Sequence, residues 1–146
     1  MTELIHSVLP QPPRPIVYIH PEDSIRKCID LMSELDIGAL VVVDNNKKLV
    51  GIVSERDIVR SCLHPSVSIE KGRVADVVFK EVTILSPHDA VERAMQAMTK
   101  TKRRHVLVRD EHQNDFIAII SIGDLLFYLL DNKEKIIEHL ENYIHT

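Results

Sequence analysis

The chain has no excess of positive charge, no cysteine pair and no long apolar run, and each absence removes a class of function. Its formal net charge is −4 and its isoelectric point lies near 6.0. Such a balance offers no electrostatic footprint for nucleic acid or for an anionic membrane surface. An anionic ligand would have to be held by a few placed cations. The two cysteines, Cys28 and Cys62, form no C-x-x-C pair. Cys28 falls on the apolar face of an expected helix and reads as a reduced core thiol rather than half of a disulfide. No secretory apolar region opens the sequence, and no run approaches the length that spans a bilayer. The expected location is cytoplasmic, with no membrane contact. Eight histidines include no H-x-H, no H-E-x-x-H and no His/Cys pair at ligand spacing, so no metal site is expected. A P-loop, a Ser-His-Asp set and paired carboxylates for hydrolysis are missing as recognisable motifs, so no catalytic residue is assigned.

What is present is a repeat. The positions Ile25, Cys28, Ile29 and Met32 recur 66 residues later as Val91, Ala94, Met95 and Met98. Both sets follow the i, i+3, i+4, i+7 spacing of one helical face. Pro21 and Pro87 match at the same offset and read as first helical residues. Ser86 with Asp89 reads as a capping box for the second of these helices. The offset of 66 persists through Asp44 and Asp110, and becomes 67 at Ser54 and Ser121 and at Asp57 and Asp124. One residue has been inserted in the polar turn Glu111–Asp115, where an insertion is tolerated.

Each copy reads as β-α-β-β-α. The first strands are expected at Ile16–Ile19 and Val82–Leu85, and the helices at Glu22–Leu35 and Pro87–Lys100. Two β-rich runs follow, Ala39–Val43 with Leu49–Val53, and His105–Arg109 with Phe116–Ile120. The turns Asn45-Asn46 and Gln113-Asn114 suit hairpins. A second helix opens at Ser54 or Ser121. Ala39–Val43 is almost wholly apolar, which implies a strand covered on both faces. One copy cannot bury that surface alone. The expected fold is α/β (α+β), two β-α-β-β-α repeats packed sheet to sheet with pseudo-twofold symmetry and a ligand crevice between them. The boundaries are a proline-rich lead-in over 1–15, repeat 1 over 16–63, a linker over 64–73, repeat 2 over 74–130 and a C-terminal helical extension over 131–146. Pro10, Pro12, Pro13 and Pro15 make the lead-in extended. Val74–Phe79 reads as a short helical turn entering repeat 2.

Gly51-Ile52-Val53-Ser54-Glu55-Arg56-Asp57 resembles the signature of the CBS domain: glycine, two mostly apolar residues, Ser or Thr, two variable residues, then Asp. Ala118-Ile119-Ile120-Ser121-Ile122-Gly123-Asp124 resembles it again, with alanine in place of the glycine. With Arg104-His105 and a long C-terminal helix, the chain is similar to the stand-alone two-CBS proteins of bacteria and plant organelles. The resemblance implies a Bateman module, a tandem pair that binds AMP, ADP, ATP, S-adenosylmethionine or an NAD-type dinucleotide and assembles as a disc-shaped homodimer. It also implies phosphate held at Ser54 or Ser121 with the helix N–H groups, and ribose held by Asp57 or Asp124.

The residue chemistry agrees with that division. A helix N-terminus favours phosphate, and an ionised Asp is acceptor-only, which suits paired ribose hydroxyls. The bland alternative is that each Ser-x-x-Asp only caps its helix. Gly123 adds backbone freedom beside the second site, and the methyl of Ala118 stands to narrow it. Arg104 and His105 occupy the strand-opening positions that related pairs use for phosphate, and arginine offers planar bidentate contacts. Their counterparts, Gly38 and Ala39, carry no charge, so the two sites are chemically unequal. Arg103-Arg104 can also be read as a solvated patch. Arg56 faces the same phosphate or a partner subunit. Adenine walls are expected from Val17, Ile19, Ile37 and Ala39, and from Val82, Ile84 and Val106.

The C-terminal helix, expected over 124–143, carries Leu126, Leu129, Leu130, Ile137, Leu140 and Ile144 as an apolar stripe. It packs either on its own chain or against another subunit or client. The functional expectation is a regulatory adenine-nucleotide-binding module that senses energy or redox state, with no catalytic cofactor and an unknown client protein. The alternative is an interaction scaffold with vestigial pockets.

Overall fold

The computed structural model describes residues 3–63, 67–113, 115–131 and 141. The two copies have the expected β-α-β-β-α order. In the first, β1 is Tyr18–Ile19, α1 is Ile25–Leu35, β2 is Ala39–Val43, β3 is Leu49–Ser54 and α2 is Glu55–Cys62. In the second, β4 is Ile84–Leu85, α3 is Val91–Thr101, β5 is His105–Arg109 and β6 is Phe116–Ser121. A last helix, α4, follows over residues 122–131. Each copy forms a three-stranded sheet, β1-β2-β3 or β4-β5-β6. The first pair in each is parallel and the second antiparallel. Both hairpins shift register at the same place, Val42/Val43 and Val108/Arg109.

The hairpin turns are organised by equivalent aspartates. The Asp44 carboxylate accepts from the N–H groups of Asn46 and Lys48. The Asp110 carboxylate accepts from those of His112 and Gln113. The Gln113 and His112 N–H groups hold the Asp110 carboxyl below its ordinary pKa.

Alternation along the strands fixes which side chains reach each core. Leu40, Val42 and Val53 join Ile25, Cys28 and Met32 of α1 in one cluster. Val106, Val108 and Ile120 join Val91, Ala94 and Met98 of α3 in the other. β2 is buried at every residue, as its uninterrupted apolar run predicts. Cys28 is buried and unbridged, and burial pushes its thiol up to about 12, so it stays a neutral core group.

Two helix starts differ from expectation. Pro21 and Pro87 are not first helical residues. They lie in turns that precede α1 and α3, and those helices begin at Ile25 and Val91. The Asp89 carboxylate accepts from the Ser86 N–H at 2.8 Å, but this closes the turn rather than capping α3, whose N-cap is Ala90. His20 and Asp23 make the same turn in the first copy, at 2.9 Å. There the N-cap is Ser24, and its hydroxyl accepts from the Lys27 N–H at 3.0 Å.

The chain divides into two compact units, and their composition follows from the segment that leads into each copy. One unit is Pro15–Val82; the other joins Met1–Arg14 to Thr83–Thr146. The segment expected to enter the second repeat belongs to the unit of the first. There the 3-10 turn Val74–Asp76 carries fully buried Val74 into the α1 core. Its N–H donates to the Asp23 carbonyl at 2.8 Å, and the Ala75 N–H donates to the Pro21 carbonyl at 2.9 Å. In the other unit the 3-10 turn Ile5–Val8 buries Ile5 against α3. The Ile5 and His6 N–H groups donate to the Asp89 and Pro87 carbonyls, both at 2.9 Å. The two clasps are thus equivalent bond for bond. Each buried anchor contributes on the order of 2 kcal/mol by transfer from water.

Candidate functional site

In each unit the signature residues meet where the hairpin ends and the second helix begins. Register places Ala39 opposite Ser54, and His105 opposite Ser121. The chain turns into a helix at each serine. The Ser54 Oγ accepts from the Asp57 N–H at 3.2 Å, while Asp57 Oδ2 accepts from the Ser54 N–H at 3.1 Å and from its hydroxyl at 2.8 Å. The Ser121 Oγ accepts from the Asp124 N–H at 3.1 Å, and Asp124 Oδ2 accepts from the Ser121 N–H at 2.8 Å. Both Ser-x-x-Asp sets are therefore reciprocal caps, which satisfy two orphan donors each.

The first N–H of each helix is also engaged. That of Glu55 donates to the Gly38 carbonyl at 3.0 Å, and that of Ile122 to the Arg104 carbonyl at 2.8 Å. The expected supply of open helix N–H groups for phosphate is thereby narrowed, because the first and third positions are used internally. The same two bonds draw the strand-opening residues against the signature. Gly38, Ala39, Ser54 and Asp57 come together in one unit, and Arg104, His105, Ser121 and Asp124 in the other. Arg56 is half-buried at the second position of α2, and Gly123 is exposed at the equivalent place in α4.

The expected apolar walls need correction. β1 buries Ile19 and exposes Tyr18. Ile19 lies in the α1 core, and Val17 and Ile37 pack against it. Val106 lies in the α3 core. Ile19 and Val106 have almost no exposed surface and are core residues, while Val17 and Ile37 are only partly buried. At the 66-residue offset, Val82 and Ile84 correspond to Ile16 and Tyr18, not to Val17 and Ile19. Residues one apart on a strand point to opposite faces. The consistent set is Ile16, Tyr18 and Ala39 in one copy with Val82, Ile84 and His105 in the other. Tyr18 and Ile16 escape a sequence reading because Ile16–Ile19 has no polar residue to mark its outer face.

The glycine-to-alanine change in the second signature also has a local cause. A Cβ at Gly51 would collide with the Phe79 carbonyl oxygen. Phe79 lies there because its N–H donates to the Ile52 carbonyl at 2.9 Å, and its carbonyl accepts from the Ile52 N–H at 3.0 Å. Counted from the clasps, the residue corresponding to Phe79 is Pro10, which has no N–H to donate. No second bridge of this kind forms among the described residues, and Ala118 is accommodated with 8% exposure. Gly51 is thus required by the Phe79 bridge, and alanine is tolerated at 118 where no such bridge forms among the described residues.

One contact was invisible in the sequence. The Arg14 Nη2 donates to Asp124 Oδ2 at 2.8 Å, with the arginine side chain 53% exposed and the carboxylate 16%. On α4, Leu125 is buried while Leu126, Phe127, Leu129 and Leu130 are exposed on this chain. Ile137, Leu140 and Ile144 of the expected stripe, and most of the extension over 131–146, lie outside the described residues. No helix among the described residues is long and apolar enough to cross a membrane, and no group of three or more ligating side chains there could hold a metal.

Comparisons with known proteins agree with this architecture. The CBS domain model matches residues 8–64 and again 74–131. A mitochondrial CBS domain-containing protein of Arabidopsis thaliana is 30% identical over 128 residues, which cover 84% of this chain and 61% of the relative. The chain spans less than two thirds of the length of several such curated relatives. Among solved structures, a putative signal-transduction protein with CBS domains from Burkholderia ambifaria is 32% identical. It aligns with a TM-score of 0.78 over 88% of this chain and 93% of its own. A CBS domain protein from Pyrobaculum aerophilum, complexed with AMP, is 25% identical, with a TM-score of 0.73 over 86% of this chain and 92% of that one. With both repeats matched and the β-α-β-β-α unit present twice, the chain belongs to the CBS domain family as a tandem pair.

Proposed function

We propose that this CBS pair is a regulatory module that binds an adenine nucleotide, AMP in the first instance, with ADP, ATP, NAD and S-adenosylmethionine as the competing ligands. The observation that carries the reading is the repeated grouping of a strand-opening residue, a capping serine and an aspartate one turn on. Asp57 and Asp124 supply acceptors for ribose hydroxyls. Arg104 and His105 supply the cationic side for phosphate, a role the helix N–H groups are less able to fill. Ile16, Tyr18 and Ala39, with Val82 and Ile84, supply apolar surface for adenine. The AMP bound by the Pyrobaculum relative supports the choice of first ligand. The module holds its ligand without chemistry, and differential affinity for two arrangements of the pair is what a client reads. The exposed leucines of α4 suit a homodimer.

Thermal unfolding with each nucleotide at millimolar concentration tests this. A ligand that binds only the folded chain raises Tm, by about 2.7 kcal/mol of stabilisation at 100 Kd. AMP is expected to raise Tm, and Asp57→Asn with Asp124→Asn to abolish the rise. No shift with any of the five ligands overturns the reading. A scaffold with vestigial pockets is the second reading, favoured by the fact that both aspartates already serve as caps. It predicts client binding that is indifferent to nucleotide.

A further inference from the structure

Asp124 is the residue proposed above to take ribose, and its Oδ2 is held by Arg14 from 110 residues away in sequence. In the first repeat the corresponding oxygen, Asp57 Oδ2, accepts from the Ser54 hydroxyl. A guanidinium presents several N–H donors in a plane, the same demand on a carboxylate that two vicinal hydroxyls make. Arg14 is thus a chemical stand-in for the sugar. It sits at the end of the Pro10–Pro15 segment, between the Ile5–Val8 clasp and β1. The arginine is more than half exposed, so the pair is exchangeable and screened by salt.

We propose that Arg14 is an internal competitor for the ribose site of the second repeat. Sugar hydroxyls and the guanidinium compete for the same carboxylate, so nucleotide binding at the second repeat displaces Arg14 and releases the proline segment from α4. This rests on the nucleotide reading, and adds to it a competitor within the chain.

The test is calorimetric titration of AMP into the full chain carrying Asp57→Asn, which weakens the first site and keeps an acceptor for the cap. Arg14 is then compared with Arg14→Gln in that background. The glutamine variant is expected to bind AMP about two- to fivefold more tightly, the range set by an exposed ion pair, and the gain is expected to shrink as salt is raised. Unchanged affinity makes Arg14 a bystander and overturns the proposal. Weaker affinity makes it a phosphate ligand and also overturns it. Absence of AMP binding to the unmodified chain sinks the nucleotide reading itself. Should Asp57→Asn not fold, Arg14→Gln alone serves: tighter AMP binding is expected, and an unaltered isotherm refutes the idea.

Discussion

The two repeats share one backbone plan although most paired positions differ in sequence, and four of those pairs are instructive. Gly51 corresponds to Ala118, Ser24 to Ala90, Asp36 to Lys102, and the uncharged Gly38-Ala39 to Arg104-His105. The first three pairs trace to local geometry: a covering strand in one copy, a capping hydroxyl in one copy, a left-handed helix end in both. The last pair lies beside the capping serines. It is the charge difference on which the proposed phosphate role of Arg104 and His105 rests.

Substitutions across these pairs break or sharpen the comparison. The largest effect is expected from Gly51→Ala, which drives a methyl into the Phe79 carbonyl and costs about 3 kcal/mol. The reverse exchange, Ala118→Gly, is expected to cost less than about 1 kcal/mol, mostly in chain entropy. Denaturant unfolding measures both, and equal costs would remove the covering strand as the reason for the glycine. Next is the helix cap. Ser24→Ala removes the hydroxyl that accepts from Lys27 and should cost about 1 kcal/mol. Ala90→Ser offers α3 the same cap and should gain a similar or smaller amount by the same assay. The smallest effect is expected at Asp36 and Lys102, which end α1 and α3 at φ of 52° and 58°. Glycine relieves the cost of that conformation, so Asp36→Gly should raise stability by up to about 1 kcal/mol. A loss there would show that the aspartate side chain has a role the backbone does not reveal.

The repeat, the hairpins and both Ser-x-x-Asp groupings were legible because each rests on short-range spacing: 66 or 67 residues between copies, three residues within a cap. The helix starts were misread by several residues because proline suits a turn as well as a first helical position, and Ser24 was the true cap. An all-apolar stretch such as Ile16–Ile19 carries no alternation, so the sequence does not tell buried Ile19 from exposed Tyr18. The Val74 turn was legible as a turn, but its partner, the Ile5 clasp and the Arg14–Asp124 pair were not. They join residues far apart in sequence, and neither periodicity nor composition encodes such a meeting.

The crossed placement of the two leading segments bears on how the protein is made. Val74 reaches its socket soon after it leaves the ribosome, because the helix that receives it has already been translated. Ile5 precedes its receiving helix α3, which is completed only at Thr101, so an apolar anchor must wait through nearly a hundred residues of synthesis. Contacts of such long sequence separation form slowly. The Ile5 clasp therefore docks late, and its unit stays unlatched until α3 is made.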